Sequence, residues 1–156
     1  MTRDPTLCRN FVRQAQQALS HHPQIVHEWS IDDDEDHCIL DIPEADENGF
    51  PVTVEVYPEQ ITVMAGPAHV HLDPDGDADE LAAYALGLIR DLLSPAMRIR
   101  EQLAGGRPFK WTLEHLHGGK WIMEEEMGLL IYNWFAKRSE RIYQNQILPA
   151  RKEPAT

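Results

Sequence analysis

The chain has 156 residues, and 26 Asp and Glu against 14 Lys and Arg give a formal net charge of −12. That length fits one ordinary domain, and a hydrophobic content of 42% excludes a chain disordered throughout. The acidity argues against a nucleic-acid binder, which needs Lys and Arg to displace counterions, and against docking on an anionic membrane surface.

Leu7, Phe11, Ala15 and Ala18–Leu19 recur at helical spacing and predict a helix over 6–20, ended by His22-Pro23. The period then changes to two. Ile25, His27, Trp29 and Ile31 share one face, an acidic loop follows, and Cys38, Leu40 and Ile42 alternate again. After the turn residues Glu47-Asn48-Gly49, Val52, Val54 and Val56 form the clearest strand face of the chain. Pro58-Glu59 turns into Ile61–Met64, Gly66-Pro67 interrupts, and His69–Leu72 resumes. These connections are too short for crossover helices, so the strands form an antiparallel meander.

Leu81, Tyr84, Ala85, Leu88 and Leu92 then mark the apolar stripe of a helix over 78–93. Asp77 with Glu80 resembles a capping box, and Asp73, Asp75, Asp77 and Asp79 precede or open that helix, where its dipole favours negative charge. Past Pro95, Met97, Ile99 and Leu103 interleave with Arg98, Arg100 and Gln102. Gly105-Gly106 and Gly118-Gly119 read as hairpin turns flanking a strand that carries Phe109, Trp111, Leu113, His115 and His117 on one face. Trp121, Met123 and Glu125 follow, and the apolar run Leu129–Phe135 is expected as the last strand. From Lys137 the tail is polar, with Ile142, Tyr143, Ile147 and Leu148 available for docking and 150–156 expected to fray. The expectation is one α+β domain over 1–149. Its antiparallel strands fall in two runs, about 25–72 and 97–135, and the central helix packs on a sheet face.

The charge is uneven. Residues 1–96 hold 19 acids and 4 bases, net −15, whereas 97–156 hold 7 acids and 10 bases, net +3. The acids concentrate at Asp32–Asp36, Glu44–Glu47 and Asp73–Glu80. An EF-hand reading of these runs fails: counted from Asp73, positions 6 and 12 are Ala78 and Tyr84, and counted from Asp32 they are His37 and Pro43. Helix capping and solvated loops explain them more simply.

Two cysteines, Cys8 and Cys38, make no disulfide framework and no CxxC pair. The N-terminal residues lack the basic and apolar regions of a secretory signal, so a cytoplasmic protein with reduced thiols is expected. Cys38, alternating with Leu40 and Ile42, reads as a buried structural thiol; strand geometry sends its neighbour His37 to the opposite face.

Two His-x-His pairs, His69/His71 and His115/His117, could each offer two imidazoles to one metal, with Asp73 or Glu125 adding a carboxylate. The simpler reading of His115 and His117 is that an apolar strand face leaves the core there. GxSxG, Walker A and HExxH patterns are missing. Glu124–Glu126 would be split across two strand faces, which suits a solvated edge better than a paired-carboxylate site. Trp111, Trp121 and Trp134, with Tyr132 and Phe135, serve core packing or else a partially exposed patch that anchors a partner.

The order Ile61-Thr62-Val63, His69–Asp73, Asp77–Leu93 and Gly119-Lys120-Trp121 resembles a group of small, uncharacterised acidic bacterial proteins. Proteins of this kind are similar to immunity proteins encoded beside bacterial toxins. The group carries no established activity; the missing catalytic motifs and the −15 segment are what point to binding.

The leading expectation is therefore a non-enzymatic, cofactor-free binding protein. Its acidic loop residues Asp32, Asp33, Asp34, Glu35 and Asp36, with Glu44, Asp46 and Glu47, meet a basic protein partner. The alternatives are a metal-dependent small-molecule binder or enzyme built on His69, His71, His115 and His117, and a homodimerising module using the aromatic strands.

Overall fold

In the computed structural model, which describes residues 7–73 and 77–151, helix α1 spans Leu7–Ser20. It buries Leu7, Cys8, Phe11 and Ala15; of the predicted face Leu19 is half-buried and Ala18 exposed, so burial stops at Ala15. The meander follows as β1 (Glu28–Ile31), β2 (Cys38–Ile42), β3 (Val52–Tyr57), β4 (Gln60–Ala65) and β5 (Ala68–Leu72), and these form one sheet in the order β1-β2-β3-β4-β5. Helix α2 covers Ala78–Leu92. A second sheet is built from β6 (Met97–Ala104), β7 (Arg107–His117), β8 (Lys120–Gly128) and β9 (Arg138–Tyr143), in the order β8-β7-β6-β9. The architecture is thus α+β, with two helices and two antiparallel sheets.

The described chain forms two compact units. The first comprises the described parts of Met1–Pro43, Pro51–Ala65 and His69–Arg90; the second comprises those of Glu44–Phe50, Gly66–Ala68 and Asp91–Thr156.

The core of the first unit follows from strand alternation. Cys38, Leu40 and Ile42 pair across to Val56, Val54 and Val52, and Val54 and Val56 pair onward to Val63 and Ile61. All are at most 1% exposed, so paired positions on neighbouring strands line one buried face. Helix α1 packs on β3, and Phe11 meets Trp29 edge to face at 6.0 Å. The first strand begins at Glu28, not 25, because Ile25 is held in a turn by its N–H donating to the His22 carbonyl at 3.0 Å. Asp77 caps α2: its carboxylate accepts the Asp79 N–H at 3.1 Å, and its carbonyl accepts the Leu81 N–H at 3.0 Å. Arg13 and Gln14 of α1 then hold Asp79 at 2.9 and 3.3 Å. Asp75 and the middle of the Asp73–Glu80 run lie outside the described residues.

The buried stripe of α2 is Ala82, Ala85, Ile89 and Leu92, which keeps Ala85 and Leu92 of the expected one; Tyr84 is 65% exposed, and Leu81 and Leu88 are half-buried. The sequence of α2 is apolar around most of its circumference, so spacing alone leaves the buried face open.

In the second unit, β6, β7 and β8 are hairpin-connected, and a long connection returns the chain to lay β9 beside β6, which is a Greek key. The last strand is therefore Arg138–Tyr143, and the expected strand Leu129–Phe135 is the crossover connection. On one sheet face Glu114, nearly buried, receives Arg98 Nε at 2.9 Å and lies 3.5 Å from Arg100, while Arg98 stacks on Trp121 at 4.1 Å. The tail beyond Tyr143 is docked by Asn145. The Asn145 Oδ1 accepts the Phe50 N–H at 3.1 Å, and its Nδ2 donates to the carbonyls of Phe50 and Leu92, both at 3.0 Å. Arg151 is held as well, with Nε and Nη2 on the Asp91 carboxylate at 3.0 and 2.8 Å, so fraying does not begin at 150; residues 152–156 lie outside the described residues. No helix among the described residues is long and apolar enough to cross a membrane.

Candidate functional site

The β1–β2 hairpin carries the first acidic run at its tip. The Asp32 N–H donates to the His37 carbonyl at 3.0 Å and the Glu35 N–H to the Asp32 carbonyl at 2.9 Å, closing a tight turn with Glu35 left-handed at φ 57°. The flanks of the loop are tied down. Arg9 Nε donates to Glu35 at 2.8 Å, the Asp32 carboxylate lies 3.4 Å from His37 Nδ1, and the His37 ring packs on Tyr57 at 4.8 Å. The Asp34 carboxylate accepts the Asp36 N–H at 3.2 Å. Asp33 and Asp34 stand exposed at the tip and form no ion pair among the described residues.

Glu44, Asp46 and Glu47 are also exposed, but they belong to the second unit. Their segment is shaped by Asp46, whose side chain accepts the Asn48 N–H at 2.8 Å and whose carbonyl accepts the Gly49 N–H at 3.2 Å. Arg141 donates to the Glu47 carbonyl, leaving the Glu47 carboxylate outward.

The histidines do not assemble. Exposed His69 and His71 lie on β5, where the His71 ring shares a 3.1 Å hydrogen bond with Thr62. On β7, His115 has Asp91 3.8 Å from its Nε2 and Glu124 3.7 Å from its Nδ1. Those carboxylates sit off opposite ring nitrogens, so no single point lies at ligand distance from all three groups. His117 is exposed at the end of the strand. Among the described residues no group of three or more His, Cys, Asp or Glu side chains could hold a metal ion.

Cys8 and Cys38 are free and fully buried, with the Cys38 thiol directed at the Cys8 carbonyl at 4.0 Å. Burial pushes both thiols above their ordinary value, so neither supplies a thiolate near neutral pH. Cys38 is structural.

The crossover connection is the surface that strand spacing misplaces. It leaves β8 with the Leu129 N–H donating to the Phe109 carbonyl at 2.8 Å, and it reaches β9 with the Gly105 N–H donating to the Lys137 carbonyl at 2.9 Å. It therefore crosses the end of the sheet, over β7 and the β6–β7 turn. Tyr132 stacks on Phe109 at 4.1 Å and on Trp134 at 4.4 Å, and the Arg138 guanidinium lies against the Phe109 and Tyr132 rings at 4.8 and 4.9 Å. This anchored stack holds up an apolar ridge, in which Leu130 is 94% exposed, Ile131 91% and Phe135 100%. A cavity of about 480 Å³ beside it is lined by Gln102, Phe109, Tyr132, Arg138, Ser139 and Glu140. Of the aromatics read as core, Trp111, Trp121 and Tyr132 are half-buried and Trp134 and Phe135 are exposed. Spacing gives no signal for this: Leu129-Leu130-Ile131 lacks polar alternation, but so does Cys38-Ile39-Leu40 within strand β2.

No protein-family model, curated protein or solved structure matches the chain.

Proposed function

We propose that this protein is a non-enzymatic binding protein that presents its acidic loops to a basic protein partner, in the manner of an immunity-type inhibitor acting in the cytoplasm. The observation that carries the reading is the tip of the β1–β2 hairpin. Asp33 and Asp34 are exposed and form no ion pair among the described residues, while Arg9 and His37 hold Glu35 and Asp32 of the loop. A fixed loop loses little conformational freedom on binding, and a concentrated negative charge steers a basic partner into register. Glu44, Asp46 and Glu47 add a second exposed acidic segment with a defined backbone.

The test compares the wild-type chain with the variant Asp33→Lys/Asp34→Lys. Each is immobilised and exposed to extract of the source organism, and the retained protein is then purified and titrated back. The expected result is one basic protein, bound more tightly at low salt, with affinity reduced about a hundredfold by the double reversal, since close interfacial charges couple strongly. Retention of no basic protein, or equal binding by the reversed variant, refutes the proposal.

A further inference from the structure

The apolar ridge at the end of the second sheet is not explained by an acidic binding surface. Leu130, Ile131 and Phe135 are almost wholly in water, on a loop whose base is pinned by the Phe109–Tyr132–Trp134 stack. Contiguous exposed apolar surface of this kind marks an interaction site.

The charges around the ridge indicate its occupant. The connection leaves the end of β8, which carries Glu124, Glu125 and Glu126, and enters β9 at Lys137, Arg138 and Arg141. In the strand order β8-β7-β6-β9 these two ends lie on opposite edges of the sheet, roughly 14 Å apart at the usual strand spacing. At the β8 end Glu126 is paired with Lys110 at 2.6 Å and Glu124 lies 3.7 Å from His115, so Glu125 is the acid left there for a partner, whereas the β9 end is basic. Glu140, the acid inside the basic end, is 3.6 Å from Arg100 of its own sheet, while Lys137 and Glu125 form no ion pair among the described residues. A surface with this pattern is complementary to itself when turned through a two-fold axis: the ridges run antiparallel, and each acidic end meets a basic end. An anionic membrane would attract Lys137 and Arg138 but repel Glu125 at the other end.

We propose that the Leu129–Phe135 ridge is the interface of a homodimer, two copies of the chain packing ridge against ridge about a two-fold axis. The cavity beside Tyr132 and Arg138 gives room for an apolar side chain of the second copy. Burial of the ridges supplies the affinity; the acidic and basic ends set the antiparallel register.

Sedimentation across a concentration series tests this on the full chain. Wild type is expected to reach twice the 17.9 kDa mass of one chain. The ridge variant Leu130→Ser/Ile131→Ser is expected to stay at one mass; both side chains are exposed, so its fold is kept. The charge variants separate an antiparallel contact from nonspecific stickiness. Glu125→Lys alone and Lys137→Glu alone each weaken dimerisation by about tenfold, and the swap carrying both restores it. A wild type that stays at one mass, a ridge variant that still dimerises, or a charge swap weaker than either single variant overturns the proposal. Wild type at one mass that sediments with phosphatidylcholine vesicles containing phosphatidylglycerol replaces it with a membrane-docking loop.

Discussion

Asn145 shows how much of the second unit depends on one side chain. Its amide uses both ends, accepting from the Phe50 N–H and donating to the carbonyls of Phe50 and Leu92, all buried. Truncation to alanine leaves those backbone groups in a dry site without partners, and each such group costs about 1–3 kcal/mol. Asn145→Ala is therefore expected to destabilise the protein by about 3 kcal/mol, read as a fall in the urea midpoint at unchanged slope. The same amide dictates its neighbour. A Cβ on Gly49 would lie 2.5 Å from Asn145 Oδ1, closer than any real contact, and the amide cannot turn away without breaking its bonds. Gly49→Ala is expected to destabilise as well, by about 2 kcal/mol in line with other overpacked sites. Because Asn145→Ala removes the atom the new methyl meets, the double variant should fall short of the sum of the two losses. Strict additivity in the urea series would show that the clash is relieved elsewhere.

At the scale of elements, α1 and β2 are joined through Cys8 and Cys38, and the thiols report that packing. Burial pushes both upward from an ordinary value near 9.0. The folded state then binds these protons more tightly than the unfolded state does. The contribution is complete below pH 9.0 and is lost as pH rises through the raised folded-state values. Tyr143, also pushed up by burial with Glu101 beside it, acts in the same direction. Stability should accordingly decline on the alkaline side, and Cys8→Ala/Cys38→Ala should flatten that decline. Ellman's reagent is expected to find no reactive thiol in the native protein and two in denaturant; rapid native labelling would contradict the packing. Elements with one buried face, such as β3 with Val52, Val54 and Val56, were legible in the sequence because alternation and burial coincide there. Strand β9 was not. Its residues are nearly all exposed, and it exists because β6, far earlier in the chain, supplies its hydrogen-bonding partner. The Leu129–Phe135 run misled for the converse reason: apolarity predicts burial within one chain, and Leu130, Ile131 and Phe135 point out of theirs. The acidic tip at Asp33 and Asp34 was visible as composition, whereas its fixation by Arg9 and His37 depends on contacts that no local pattern announces.

The whole molecule separates two kinds of surface. Residues 1–96 hold 19 acids against 4 bases, and the hairpin tip at Asp33 and Asp34 lies in the first compact unit; the apolar ridge lies in the second. A homodimer through the ridge would carry two copies of the acidic tip without altering either. A doubled site changes retention more than intrinsic affinity, because once one tip is bound the other meets its target at a high effective concentration. Immobilised poly-lysine, at two coating densities, makes this measurable. On a dense coat, wild type should dissociate at least about tenfold more slowly than Leu130→Ser/Ile131→Ser, and on a sparse coat, where two tips cannot engage at once, the two should dissociate alike. Asp33→Lys/Asp34→Lys should lose retention at both densities, and salt should erase the dense-coat advantage as it screens the charges. Equal dissociation of wild type and the ridge variant on the dense coat would mean that the ridge does not bring two acidic tips to one surface. A persistent advantage on the sparse coat would mean that the ridge itself touches the poly-lysine, and its role would then be direct contact in place of pairing.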